Sequence, residues 1–111
     1  MEKTIMQRTF AVESLGESRY RLAVTYSDFV GLLGVLSSLL SSKGINIIRG
    51  TIDSIGKTGW IVLEVSATIH PDFDRLEKDL FTLLEKAYAG HLEEVYSEFS
   101  TRPAKAGRKY N

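Results

Sequence analysis

The residues best suited to binding chemistry lie in one short segment, from Asp28 to Leu33, that leads into a leucine-rich stretch. If a helix begins there, the backbone N–H groups of Gly31, Leu32 and Leu33 lack helical partners and favour an anion such as a carboxylate. Gly31 has no side chain, so a ligand can approach its backbone closely. Asp28 and, further along the chain, Asn46 supply polar groups for the rest of a small ligand.

Residues able to perform catalysis are scarce. The chain has no cysteine, which excludes a thiolate nucleophile, thiolate metal ligands and disulfides. His70 and His91 are lone histidines beside predicted loops, and nothing in the sequence groups them with a carboxylate or serine into a catalytic or metal site. The segment from Gly56 to Thr58 resembles the end of a phosphate-binding loop, but Thr51 stands where that loop needs a glycine. We therefore expect no enzymatic activity, no metal and no cofactor.

The composition predicts one globular domain, because 111 residues with 43% hydrophobic and 25% charged side chains suffice for a single core. Fourteen basic residues balance fourteen acidic ones, so no net charge attracts nucleic acid or an anionic membrane. The N-terminus does not open like a signal peptide, and no apolar run reaches the length of a membrane span. We expect a cytoplasmic protein with neither nucleic-acid nor membrane partners.

The elements that position the Asp28 segment are a strand before it and a helix after it. Apolar and polar residues alternate from Arg19 to Tyr26, as in a half-buried strand. Leucines then recur at helical spacing as far as Leu40, and Gly44 predicts the end of the helix. The simpler interpretation of Asp28 is that it caps this helix.

Two more strands and a second helix follow. A β-branched strand begins at Ile45, and the switch of its pattern after Ile47 predicts a bulge or kink near Gly50. A tight turn over residues 56–59 joins it to an alternating strand over residues 60–69. Asp72 is the predicted N-cap of a helix that ends near residue 90. The edge of a sheet would accommodate Asn46, which is otherwise unfavourable in a strand.

The two ends of the chain have less regular hydrophobic patterns. Residues 91–99 fit a helix as well as a strand, but three strands under two helices leave an edge open, which favours a fourth strand there. The expected fold is an α+β, ferredoxin-like βαββαβ sandwich: a four-stranded antiparallel sheet with two helices on one face. Residues 1–18 form an N-terminal extension with a possible extra strand, residues 19–100 the domain, and residues 101–111 a basic tail or linker.

Two motifs resemble those of ACT domains. The segment from Tyr26 to Leu33 is similar to their Asp-Arg-Pro-Gly-Leu-Leu loop, and the segment from Lys43 to Ile47 is similar to their Gly-Ile-Asn-Ile motif at a helix end. The motifs lie at the usual distance for that family. The resemblance implies a regulatory, allosteric module that binds a small molecule, usually an amino acid, where two domains meet. Phe29 and Val30 stand where the family has Arg and Pro, which makes this loop more apolar.

The resemblance assigns ligand binding to seven residues: Asp28, Phe29, Val30, Gly31, Leu32, Leu33 and Asn46. Trp60 and Val62 are predicted to form an exposed apolar pair on the uncovered side of the sheet, which indicates a homodimer contact. Two alternatives remain open. The same topology serves RNA-binding domains, although only Trp60 is placed for base stacking, and an ACT fold can also act purely as a protein-interaction module.

Overall fold

A computed structural model describes residues 8–97 and residue 99. In chain order the elements are β1 (Thr9–Gly16), β2 (Arg19–Ser27), α1 (Leu32–Ser42), β3 (Ile45–Ile55), β4 (Thr58–Ala67) and α2 (Phe73–Tyr88). The strands form one antiparallel sheet in the order β1-β2-β4-β3. The predicted α+β class and four-stranded antiparallel sheet are confirmed. The predicted tail, residues 101–111, lies outside the described residues.

The core is built on one side of the two central strands, because every second side chain in β2 and β4 points into it. In β2 the buried apolar side chains are those predicted from the alternation: Tyr20, Leu22, Val24 and Tyr26; Thr25 is buried as well. In β4 they are Ile61, Leu63, Val65 and Ala67. Apolar residues of both helices join them in a single hydrophobic cluster.

Both helices cover this same side of the sheet. The ring of Phe81 in α2 lies 6.5 Å from that of Phe10 in β1 and 5.9 Å from that of Tyr26 in β2, measured between centroids. On the other half of the sheet, a Cβ atom added to Gly59 of β4 would lie 2.6 Å from Leu32 of α1. The opposite side of the sheet, here called the open face, has no helix over it among the described residues.

Several local signals in the sequence have their expected structural outcome. Asp72 is the N-cap of α2, and its Oδ1 accepts a hydrogen bond of 3.1 Å from the Arg75 N–H. Gly44 follows the end of α1 with a left-handed φ of 77°. The pairing of β3 with β4 is irregular between Ile47 and Arg49, where the hydrophobic pattern switches. The hairpin between β3 and β4 turns at residues 56–57.

The strand beside β2 comes from the N-terminal side of the chain. A hairpin joins β1 to β2 through Glu17 and Ser18, whose φ values of 57° and 63° are those of a tight two-residue turn. Phe10 and Val12 pack against the core, so the apolar residues of β1 lie on the helix side of the sheet. We expected a strand over residues 91–99 to take this edge of β2, and β1 takes it instead.

The fourth strand predicted over residues 91–99 is wrong, because residues 92–97 are helical. β1 already occupies the edge that the prediction meant to fill. The C-terminal helical turn instead packs on α1, where Leu92 lies against Gly31 and the Tyr96 hydroxyl against Gly34. Val95 within the turn is fully buried. The alternative helical interpretation of this segment is therefore the correct one.

Candidate functional site

The loop from β2 to α1 is tied to the turn between β3 and β4. The Asp28 N–H donates a hydrogen bond of 2.8 Å to the Lys57 carbonyl. The Ser54 hydroxyl donates one of 2.5 Å to the Asp28 Oδ2. Asp28 Oδ1 has no hydrogen-bond partner within the described residues. The Asp28 side chain is thus held in place with one carboxylate oxygen unused, and nothing in the sequence pattern pointed to Ser54 as its partner.

The N-cap of α1 is Gly31, with a left-handed φ of 106°, and no side chain caps this helix. The prediction that Asp28 caps it is wrong, because the Asp28 carboxylate is engaged by Ser54. The Leu32 N–H donates to the Phe29 carbonyl at 3.1 Å and is not free for a ligand. Among the described residues, the N–H groups of Leu33 and Gly34 have no acceptor. Gly34 was not among the predicted binding residues.

The free space expected beside Gly31 is occupied. A Cβ atom added there would lie 3.2 and 3.3 Å from the two methyl carbons of Leu92. A larger side chain at position 31 would therefore meet the C-terminal helical turn before it met a ligand. A ligand can reach the helix start only from the side of the loop that Leu92 leaves uncovered.

The two apolar residues of the loop, Phe29 and Val30, have different surroundings. Phe29 packs edge-on against Tyr26 and Tyr88, with ring centroids 6.2 and 5.7 Å apart. Val30 is 92% exposed, and it is the loop residue most accessible to an apolar part of a ligand or partner. The Tyr26 hydroxyl is buried and has no hydrogen-bond partner among the described residues, and burial raises the pKa of this phenol.

Asn46 lies far from the rest of the predicted binding residues. It sits at the start of β3 opposite Ser66, whereas the partner of Asp28, Ser54, is near the end of the same strand. Eight residues of extended chain span roughly 26 Å. Within one copy the structure therefore does not bring Asn46 and Asp28 together around a small ligand.

The open face carries the predicted apolar pair. Trp60 is 44% and Val62 is 40% exposed. Beside them Glu64 forms ion pairs with Arg19 of β2 and, at 3.3 Å, with Arg49 of β3. The hydrogen bond from the Arg19 guanidinium holds the pKa of the Glu64 carboxyl below its ordinary value, and the charge of Arg49 acts in the same direction. Arg19 and Arg49 on the open face are thus already paired with Glu64.

The two histidines have partners outside the loop at Asp28. His70 Nδ1 is 3.0 Å from the Tyr20 hydroxyl, and His91 Nδ1 is 3.8 Å from a carboxylate oxygen of Glu94. Over residues 8–97 and 99, no group of three or more potential ligands, whether His, Asp or Glu, is arranged to hold a metal ion. In that same part of the chain, no helix has both the length and the apolar character needed to cross a membrane.

Comparison of this chain with protein-family models, with curated proteins and with solved structures found no match. The features of this chain that bear on its function are the loop at Asp28, the open face and the edges of the sheet.

Proposed function

We propose that this chain is a regulatory module of the ACT type, which binds a small molecule and forms a homodimer. The observation that carries the proposal is the start of α1, where the N–H groups of Leu33 and Gly34 have no acceptor among the described residues and follow directly on the loop that carries the fixed Asp28 carboxylate. The N–H groups favour an anion, and the Asp28 carboxylate favours a cation. An amino acid carries both charges.

The order of elements supports this assignment. From β2 onward the chain runs strand, helix, strand, strand, helix, as in the ferredoxin-like fold of ACT domains. In the proposal β1 takes the place of the last strand of that fold, beside the strand that precedes the ligand loop. The ligand loop then lies where strand, helix and hairpin converge, which holds its backbone in one conformation.

The ligand contacts follow from these positions. The carboxylate of the amino acid docks on the N–H groups of Leu33 and Gly34, and its ammonium on Asp28 Oδ1. Val30 borders the side chain of the ligand. Asn46 lies roughly 26 Å from Asp28 along β3, so it can contact the same ligand only from a second copy of the chain.

The test is a titration of the full chain with each of the common amino acids, followed by amide chemical shifts. At least one amino acid should give saturable shifts in residues 27–34. Asp28→Asn should weaken binding about tenfold or more, because the amide keeps an acceptor for Ser54 but loses the charge that holds the ammonium. Asp74→Asn in α2 makes the same change away from the loop and should bind like the wild type.

If no amino acid produces saturable shifts in the loop, the ligand-binding part of the proposal is wrong. A structural, dimer-forming role would then remain. RNA binding is not proposed, because Trp60 is the one aromatic side chain exposed on the open face within the described residues, and the neighbouring Arg19 and Arg49 are paired with Glu64.

A further inference from the structure

One row of side chains on the open face alternates in charge across all four strands. The register of the sheet places Arg21 of β2 between Glu13 of β1 and Glu64 of β4. Arg49 of β3 lies on the far side of Glu64. Arg21 pairs with Glu13 at 2.6 Å, and Arg49 pairs with Glu64 at 3.3 Å. This row, here called the charge ladder, reads negative, positive, negative, positive from β1 to β3, so it is complementary to a second ladder in the reverse order.

Face-to-face stacking of two copies brings the charge ladders together in reverse order when the two-fold axis runs parallel to the strands and passes between β2 and β4. In this arrangement β1 of one copy faces β3 of the other, and β2 faces β4. Glu13 of each copy then faces the Arg49 of the second copy, and Arg21 faces its Glu64. All four ladder residues therefore face an opposite charge, while the strands of the two sheets stay aligned as in a β-sandwich.

Other arrangements of two stacked faces lose this match. An axis over β2 or β4 puts Arg21 or Glu64 opposite its own copy, and like charges that face each other are unfavourable. An axis between β1 and β2, or between β4 and β3, overlaps only two strands of each sheet. An axis across the strands puts every strand opposite itself, which leaves at least three ladder residues without an opposite charge among the described residues. The central axis is therefore the one that the charge ladder selects.

The side chains beside the charge ladder complement each other in size. On β4 the open face carries Trp60 and Val62, which are 44% and 40% exposed. Their neighbours on β2 are small, because Trp60 lies beside Thr25 and Val62 beside Ala23. With the central axis, β4 of one copy faces β2 of the other, so each large side chain lies over a small one. Such a match of large and small side chains fills an interface without voids.

The polar groups near this contact have partners that the stacking leaves in place. The Thr25 hydroxyl is 2.7 Å from the Thr9 hydroxyl, so one donates to the other when Trp60 of a second copy covers them. Arg19, which is already in an ion pair, faces Ser66 of the second copy and meets no like charge. Covering the open face therefore leaves none of these groups without a partner.

We propose that two copies of this chain stack through their open faces with their strands aligned, so that the charge ladders pair in reverse order and Trp60 of each copy covers Thr25 of the other. The assembly is a sandwich of two sheets with helices on both outer sides. The inference rests on the dimer-forming part of the proposed function and names its interface. The start of α1 lies on the helix side of the sheet, so ligand binding there does not require the stacking.

The experiment is sedimentation equilibrium of the full chain from low to high micromolar concentration. Four strands about 4.8 Å apart and roughly eight paired residues of about 3.3 Å each give a face of roughly 500 Å² per copy. This area is at the low end for specific interfaces, so the dimer that we expect for the wild type should depend on protein concentration.

Glu13→Arg and Arg49→Glu should each raise the dissociation constant at least about tenfold, because like charges then face each other twice. An equimolar mixture of the two variants should recover the dimer, since each variant presents the charge that the other lacks. Glu13 and Arg49 lie on opposite edges of one sheet, so this recovery reports a contact between copies. It also shows that both variants fold.

Trp60→Ser should weaken the dimer at least about tenfold as well, because it removes the large side chain at the centre of the contact. Lys78→Glu is the matched control, since it makes the same change of charge as Arg49→Glu at an exposed position of α2 on the helix side. It should sediment like the wild type.

A wild-type monomer at all concentrations overturns the inference together with the dimer-forming part of the proposed function, while the amide titration decides the ligand-binding part separately. A dimer that survives either Arg49→Glu or Trp60→Ser overturns the inference alone, because the copies then pair in another way. A mixture of the two charge variants that stays monomeric also overturns it.

Discussion

The two edges of the sheet are built differently. At the β1 edge Phe10 meets Phe81 of α2, and the guanidinium of Arg8 lies over the same ring at 4.9 Å while pairing with Glu85 at 2.5 Å. At the β3 edge Ile52 and Ile55 are exposed, and neither belongs to the hydrophobic cluster of the described residues. Within the described residues both strands have one unpaired backbone edge, but Phe10 and Val12 of β1 pack against the core whereas Ile52 and Ile55 of β3 are exposed.

The difference indicates that the helix above a strand, more than the strand's own residues, decides whether an edge is closed. α2 is 16 residues long and reaches over β1, whereas α1 has 11 residues. Leu33, in the first turn of α1, is 39% exposed and borders a groove at Gly50 without filling it. The β3 edge therefore keeps an apolar surface that another chain can cover.

Truncating one apolar side chain at each edge should lower the free energy of unfolding by unequal amounts. At a protein concentration low enough to keep the chain monomeric, Phe10→Ala should lower the free energy of unfolding by about 2 kcal/mol, because it removes a half-buried ring from the core. Ile52→Ala should cost less than about 0.5 kcal/mol under the same conditions. Urea unfolding followed by circular dichroism measures both. Equal losses would mean that the β3 edge is covered within one chain.

Gly31 and Gly56 both have left-handed backbone conformations, but only Gly31 is covered by another side chain. Gly56, in the turn at the end of β3, has open space around its missing Cβ, whereas Gly31 lies under Leu92. Alanine is strained at both positions, but Gly31→Ala should cost about 1 kcal/mol more than Gly56→Ala because its methyl group also displaces Leu92. Adding Leu92→Ala to Gly31→Ala should remove part of that excess. Equal free energies of unfolding in urea for Gly31→Ala and Gly56→Ala would contradict the contact with Leu92.

The smallest expected effect is a pH dependence of the free energy of unfolding, caused by the ion pairs of Glu64 with Arg19 and Arg49. Arg19 holds the pKa of Glu64 below its ordinary value of 4.5 in the folded chain. Glu64 therefore contributes stability that is present above its unfolded pKa and is lost as the pH falls through its lower folded pKa. Glu64→Gln should be less stable than wild type near pH 6, and the two should converge toward pH 3. A difference in the free energy of unfolding between the two proteins that widens as the pH falls would contradict this prediction.

Much of the local structure could be predicted from the sequence. The alternation around Leu22 gave the buried side of β2 correctly, since a half-buried strand has a period of two whatever its neighbours are. Asp72 could be identified as a cap because its hydrogen bond reaches only three residues ahead. Asp28 looked equally suitable as a cap, but its carboxylate is bonded to Ser54, 26 residues further along, and no local pattern reports such a contact.

By itself, the sequence determined the positions of both helices, the hairpin between β3 and β4 and the buried sides of β2 and β4, because these depend on neighbouring residues and on the burial of apolar surface. The tertiary structure decided the rest. Residues 92–97 have a spacing that suits a helix or a strand, and their state depended on whether the edge of β2 was free. A two-residue turn closes β1 onto β2 with little loss of chain entropy, so that edge is filled locally. The C-terminal turn instead covers the small surfaces at Gly31 and Gly34.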